Sequence, residues 1–188
     1  MSPTYPIEPF RERFNKQFGY PPERATIKLR PFLHQWVQDF IRCSPFVILA
    51  TSNGKDACSV SPRGGPCGFV RIINDRTLLL PDVPGNYLFH SYANVEQFDH
   101  LALLFLVPGL QETARVSGKA RIISAEEVSS LTQSREPPDK RIIQGLLISV
   151  ELAFGHCGRS IKLADLWNET TIMKNRIDRP VVERPKGI

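Results

Sequence analysis

No apolar run in this chain approaches a membrane span. The longest, Leu101 to Pro108, falls far short of the ~20 residues a transmembrane helix needs, and the N-terminus shows no basic-then-apolar signal region. A cytoplasmic protein without a membrane partner is therefore expected. The four cysteines (Cys43, Cys58, Cys67 and Cys157) include no CxxC pair, which fits reduced thiols better than a disulfide framework or a zinc knuckle; no metal site is expected. GxSxG, HExxH and GxxxxGK[ST] are all missing, so hydrolase triads, zincins and nucleotide-triphosphate folds have no support. There is also no basic stripe interleaved with aromatics. The formal net charge of +5 thus does not indicate nucleic acid; a phosphorylated small ligand or plain solubility accounts for it.

What is present is an ordinary globular composition, 41% hydrophobic and 23% charged in 188 residues, enough for one domain with decorated ends. Ile7, Phe10, Phe14 and Phe18 recur at three- and four-residue spacing after Pro6, which predicts an amphipathic helix. A second helix is expected from about Pro31, where Phe32, Leu33, Trp36, Val37, Phe40 and Ile41 share one face. Both helices are read as caps on a barrel, with residues 1–44 forming an N-terminal helical unit.

The period then shortens. Strands are expected at Phe46–Thr51, Ala57–Ser61, Gly68–Ile73, Thr77–Pro81, Leu101–Val107, Glu112–Ile123 and Leu146–His156, with Asn53-Gly54 and Asn74-Asp75 as hairpin turns. A helix is expected over Tyr87–Phe98, and Ser124-Ala-Glu-Glu127 reads as the capping box of another. Arg135–Arg141 reads as a loop, and Lys174–Ile188, within a tail of residues 169–188, as an extended arm. Such a run of short strands suggests a barrel or sandwich over residues 45–168.

Three segments could carry chemistry. In Ser61-Pro-Arg-Gly-Gly-Pro-Cys-Gly68, glycines allow close backbone approach, Ser61 offers a hydroxyl and Arg63 a bidentate phosphate contact; a plain hairpin with a solvated arginine is the alternative. In Pro81-Asp-Val-Pro-Gly-Asn86, Gly85 and Asn86 could greet an anion at a helix start, or Asn86 could simply be the N-cap. Thr113, Arg115 and Ser117 share one face of a strand, either toward solvent or along a polar ligand slot. His156-Cys157 is read as a packed core cysteine beside a hydrogen-bonded histidine, since neighbours on a strand point to opposite faces.

Together these segments, with Gly68-Phe-Val-Arg71, Asp75-Arg-Thr77, Phe105-(x2)-Pro-Gly109 and Glu112-Thr-(x)-Arg-Val-(x)-Gly118, resemble a bacterial and fungal branch of the pyridoxamine 5′-phosphate oxidase-like flavoproteins, in order, from about Lys28 to Trp167. The resemblance implies a mainly β (α+β) fold, a six-stranded antiparallel split β-barrel with flanking helices, working as a homodimer with FMN at the subunit interface. The phosphate would meet Ser61, Arg63, Pro81, Gly85 and Asn86, and the ring would lie along Thr113 and Arg115. Val83, Tyr87, Leu88 and Leu163-Ala164 depart from the branch pattern, where basic residues or an Arg-Ser pair are usual. The activity implied is that of an FMN-dependent oxidoreductase on an unidentified small molecule; the alternative is a non-enzymatic protein that binds or senses flavin or haem. No catalytic residue can be assigned from the resemblance.

Overall fold

The computed structural model describes residues 8–132 and 141–180, with side chains described from residue 11 onward. The elements run α1 (Glu8–Phe18), α2 (Glu23–Thr26), α3 (Gln35–Cys43), β1 (Phe46–Ser52), β2 (Cys58–Gly64), β3 (Arg71–Asn74) and β4 (Thr77–Asp82). There follow α4 (His90–Gln97), β5 (His100–Leu106), β6 (Thr113–Ser124), α5 (Ala125–Leu131), β7 (Gln144–His156), α6 (Arg159–Leu163) and α7 (Glu169–Asp178).

All seven strands form one antiparallel sheet in the order β2-β1-β5-β6-β7-β4-β3. The fold is thus mainly antiparallel β with flanking helices, as expected, but with seven strands rather than six and with β2 and β3 left as open edges. Strand alternation sets the core. Val47, Leu49, Leu103, Phe105, Ala114, Val116, Leu78, Leu80, Leu146 and Ile148 point into one cluster, each large one contributing roughly 1.5–3 kcal/mol by burial. The stripe of α3, Val37, Phe40 and Ile41, packs on the same cluster. On the sheet's other side a smaller cluster of Leu79, Ile123 and Val128 seats α5.

Local chemistry explains the joints. Asn53 Oδ1 accepts from the N–H groups of Lys55, Asp56 and Ala57 at 3.0–3.1 Å, and Gly54 takes φ +74°, a conformation that favours glycine. Ser124 Oγ accepts from Glu127 N at 3.3 Å as an N-cap should, although the Glu127 carboxylate turns to Arg121 instead of closing the box. Gly118 sits at a bulge, where Ser117 pairs with Leu152 but Gly118 with Val150; a Cβ there would lie 2.0 Å from Ser149 O.

Some expectations need correcting. Phe14 and Phe18 of α1 do not seat on the barrel: they are 49% and 76% exposed, because three- and four-residue spacing specifies a face but not a partner for it. Residues 169–178 form a helix, capped by Asn168 Oδ1 accepting from Thr171 N at 2.9 Å, so Lys174–Asp178 are not extended. Cys157 and His156 are exposed rather than packed, and the four cysteines are free and at the surface. The Pro137-Pro138 loop and the last eight residues of the arm lie outside the described residues. No described helix is long and apolar enough to cross a membrane.

Candidate functional site

Ser61 and Arg63 are strand residues, not loop residues. β2 runs to Gly64 and pairs Ser61 with Leu49 and Arg63 with Val47; since Leu49 and Val47 are buried core residues, both side chains point to the barrel interior. Pro62 is tolerated because β2 is an edge. The glycines that follow serve the turn rather than a ligand. Gly68 has φ +73° with a Cβ position 3.1 Å from Arg42 O, and a Cβ on Gly65 would press on the Phe69 side chain at 2.8 Å.

Near the other end of the sheet, Leu78, Leu80 and Asp82 of β4 alternate inward. Asp82 is buried, and its Oδ1 accepts from Arg63 Nη1 at 3.0 Å. The sheet therefore curls until β2 and β4 face each other across an open seam, and this ion pair spans it. Asp82 Oδ2 accepts from Gln144 Nε2 at 3.3 Å, and Tyr92 of α4 lines the same seam. Burial, and then the negative charge of Asp82, push the Tyr92 phenol well above its ordinary range, so it stays a protonated donor.

A cavity of about 210 Å³ opens on this seam, lined by Ser61, Arg63, Asp82, Gly85, Asn86 and the rings of Tyr87, Phe89 and Tyr92, with Val83 and Ile143 at its sides. Four of the seven residues singled out from the sequence, Ser61, Arg63, Gly85 and Asn86, come together there. Gly85 and Asn86 do not open a helix, however. α4 starts at His90, because Asn86 Oδ1 captures Leu88 N at 3.1 Å and Tyr87 and Phe89 take positive φ (57° and 50°). Asn86 is thus neither N-cap nor helix-terminal anion ligand.

Pro81 pairs with Gly145 and does not line the cavity. Thr113 and Arg115 are farther away in kind: they lie on the opposite, outward face of the sheet, paired with His156 and Phe154. Arg115 is exposed, its guanidinium 6.0 Å from the Phe154 ring centre. Sequence reasoning passed over Asp82, Tyr92 and Phe89. The usable signal was Asp82 itself, an acid in phase with the apolar Leu78 and Leu80, which a buried strand face admits only with a partner.

The family model described as Pyridoxamine 5'-phosphate oxidase matches residues 33–151, well over half of the chain. The chain belongs to this family. Among solved structures, HupZ of Group A Streptococcus superposes with a TM-score of 0.50 at 19% identity, covering 65% of this chain and 93% of that one. A putative pyridoxamine 5'-phosphate oxidase of Lactobacillus delbrueckii gives 0.50 at 17% identity, covering 66% and 95%. At such identities the likeness to these structures is one of fold. A search of curated proteins returns no match.

The seam supplies one cation, already neutralised, and a serine, so as a phosphate cradle the fit is poor. As a slot for a planar, hydrogen-bonding ring it is better, since three aromatic side chains form its walls. Among the described residues, no group of three His, Cys, Asp or Glu side chains could hold a metal ion.

Proposed function

We propose that this family member is a cytoplasmic FMN-dependent oxidoreductase acting on a small molecule as a homodimer. The observation that carries the reading is the convergence of two sequence-distant segments, Ser61–Arg63 and Asp82–Phe89, on one cavity at the barrel seam, in a chain of this family. A bound flavin supplies the hydride and electron chemistry. The chain's own part is to hold the ring, with Ser61 and the Arg63–Asp82 pair as polar contacts and Tyr87, Phe89 and Tyr92 excluding water.

The homodimer is supported by the sheet's outward face. Phe46, Ile48 and Ala50 of β1 lie beside Leu106, Leu104 and Ala102 of β5 and next to Val60 of β2, and Val60 is 71% exposed. A second copy on a two-fold axis buries this apolar face on both chains. It also turns Arg115, exposed on that same face, toward the flavin of the neighbouring copy. Four free thiols at the surface suit a reducing compartment.

Purified protein should carry flavin absorption bands or acquire them on incubation with FMN, and run as a dimer by light scattering at micromolar concentration. A Soret band without flavin bands, or a monomer that retains FMN, overturns the reading.

A further inference from the structure

We propose that Lys28 and Arg115, gathered around the Phe154 ring on the outward face of the sheet, form a binding site for a small molecule carrying an oxyanion, a carboxylate or a phosphate. The site lies on the opposite face from the seam and does not depend on the flavin reading. Only its role rests on that reading: in the proposed dimer Arg115 points toward the neighbouring copy's flavin, so an anion held here is the charged end of the molecule brought to that flavin.

Strands β6 and β7 make the floor. Arg115 pairs with Phe154 and Val116 with Ala153; Val116 and Ala153 belong to the core cluster, so alternation turns Arg115 and Phe154 together to the outer side. The Arg115 guanidinium stands 6.0 Å from the Phe154 ring centre. Lys28 reaches the same ring from a distant part of the chain, its Nζ 5.7 Å from the centre. Backbone bonds hold it there: Arg30 N donates to Ala153 O at 3.2 Å and Ala153 N to Arg30 O at 2.7 Å, which straps the segment after α2 against β7. The exposed His156 ring adds a third group, 5.8 Å from that of Phe154.

Among the described residues no carboxylate lies within ion-pair distance of Lys28 or Arg115, whereas Arg42, Arg63, Lys119 and Arg121 each have one. An aromatic ring attracts a cation without cancelling its charge, and like charges drawn to one buried ring repel more than they would in water. An oxyanion that meets both relieves this repulsion and accepts charge-assisted hydrogen bonds from each, the Arg115 fork offering two parallel donors.

The test is a titration of the flavin-free, full-length protein with sodium phosphate and, separately, sodium succinate at constant ionic strength. Binding is followed by tryptophan fluorescence, since Trp36 rests against Gly155 beside Phe154, and by melting temperature. Expected is saturable binding of at least one anion, which raises the melting temperature of the parent protein; a response to one salt alone fixes the oxyanion as phosphate or carboxylate. Lys28→Met and Arg115→Met should each weaken binding by roughly ten- to a hundredfold, the loss of one charge-assisted contact. Arg30→Met, which removes a nearby exposed charge, should change it by less than about threefold. No saturable response to either salt, unchanged affinity in both Lys28→Met and Arg115→Met, or an equal loss in Arg30→Met overturns the proposal. Such a failure leaves the flavin reading standing, and a protein that binds the anion but no flavin keeps the site and loses the role assigned to it.

Discussion

Replacing Arg63 by methionine tests the ion pair that spans the seam. The substitution keeps much of the apolar stem and removes the guanidinium, leaving Asp82 buried with Gln144 as its remaining donor. Breaking a fully buried pair costs about 3–5 kcal/mol. Here the Arg63 side chain is 27% exposed and Asp82 keeps Gln144, so the loss should be nearer the ~1.5–3 kcal/mol of one charge-assisted hydrogen bond. For a chain of this size that is roughly 3–12 °C in melting temperature. Urea unfolding of the apo-protein followed by circular dichroism measures it, with an unchanged m-value showing that the denatured state is not the cause. The partner substitution completes a cycle: Arg63→Met with Asp82→Asn should be more stable than the sum of the single losses predicts, by about 1 kcal/mol or more. An Arg63→Met protein within about 0.5 kcal/mol of the parent, or strictly additive losses, would show that the seam is not held by this pair.

Gly118→Ala should destabilise the chain severely, by about 3 kcal/mol or more, or abolish soluble expression, since its Cβ would meet Ser149 O at 2.0 Å; wild-type-like urea unfolding refutes the tight approach. Asn94→Ala removes the buried bond from Asn94 Nδ2 to Thr51 Oγ1 at 3.1 Å and strands the hydroxyl, costing about 1–3 kcal/mol, readable by the same assay. The Tyr92 phenol is held protonated in the fold, so the folded state binds more protons than the unfolded state above pH ~10 and stability must fall as pH rises there. Tyr92→Phe should flatten that alkaline decline, and an unaltered slope would contradict the placement of Tyr92. Thiol titration of the native protein should find four reactive groups, as all four cysteines are exposed and free; two or fewer without oxidative handling would contradict this.

The strands, their turns and the α5 cap were legible in the sequence because each depends on neighbours a few residues apart: alternation for β1 and β5, Asn53-Gly54 for the first hairpin, Ser124 for the N-cap. Helix α3 was legible for the same reason, its stripe being wide enough to require a core. By contrast, the spacing of Phe14 and Phe18 specifies a face without naming what covers it, and both stay exposed. The candidate site was half legible. Ser61, Arg63, Gly85 and Asn86 stood out as residue types, but that Arg63 closes on Asp82, 19 positions on, depends on how far the sheet curls, a sum of small twists over seven strands that no local pattern encodes. The same curl places Thr113 and Arg115 on the opposite face from the seam. Sequence alone determined which residues could alternate, turn and cap; tertiary structure decided which charges meet, because an ion pair requires two strands far apart in the ladder to be brought within 3.0 Å.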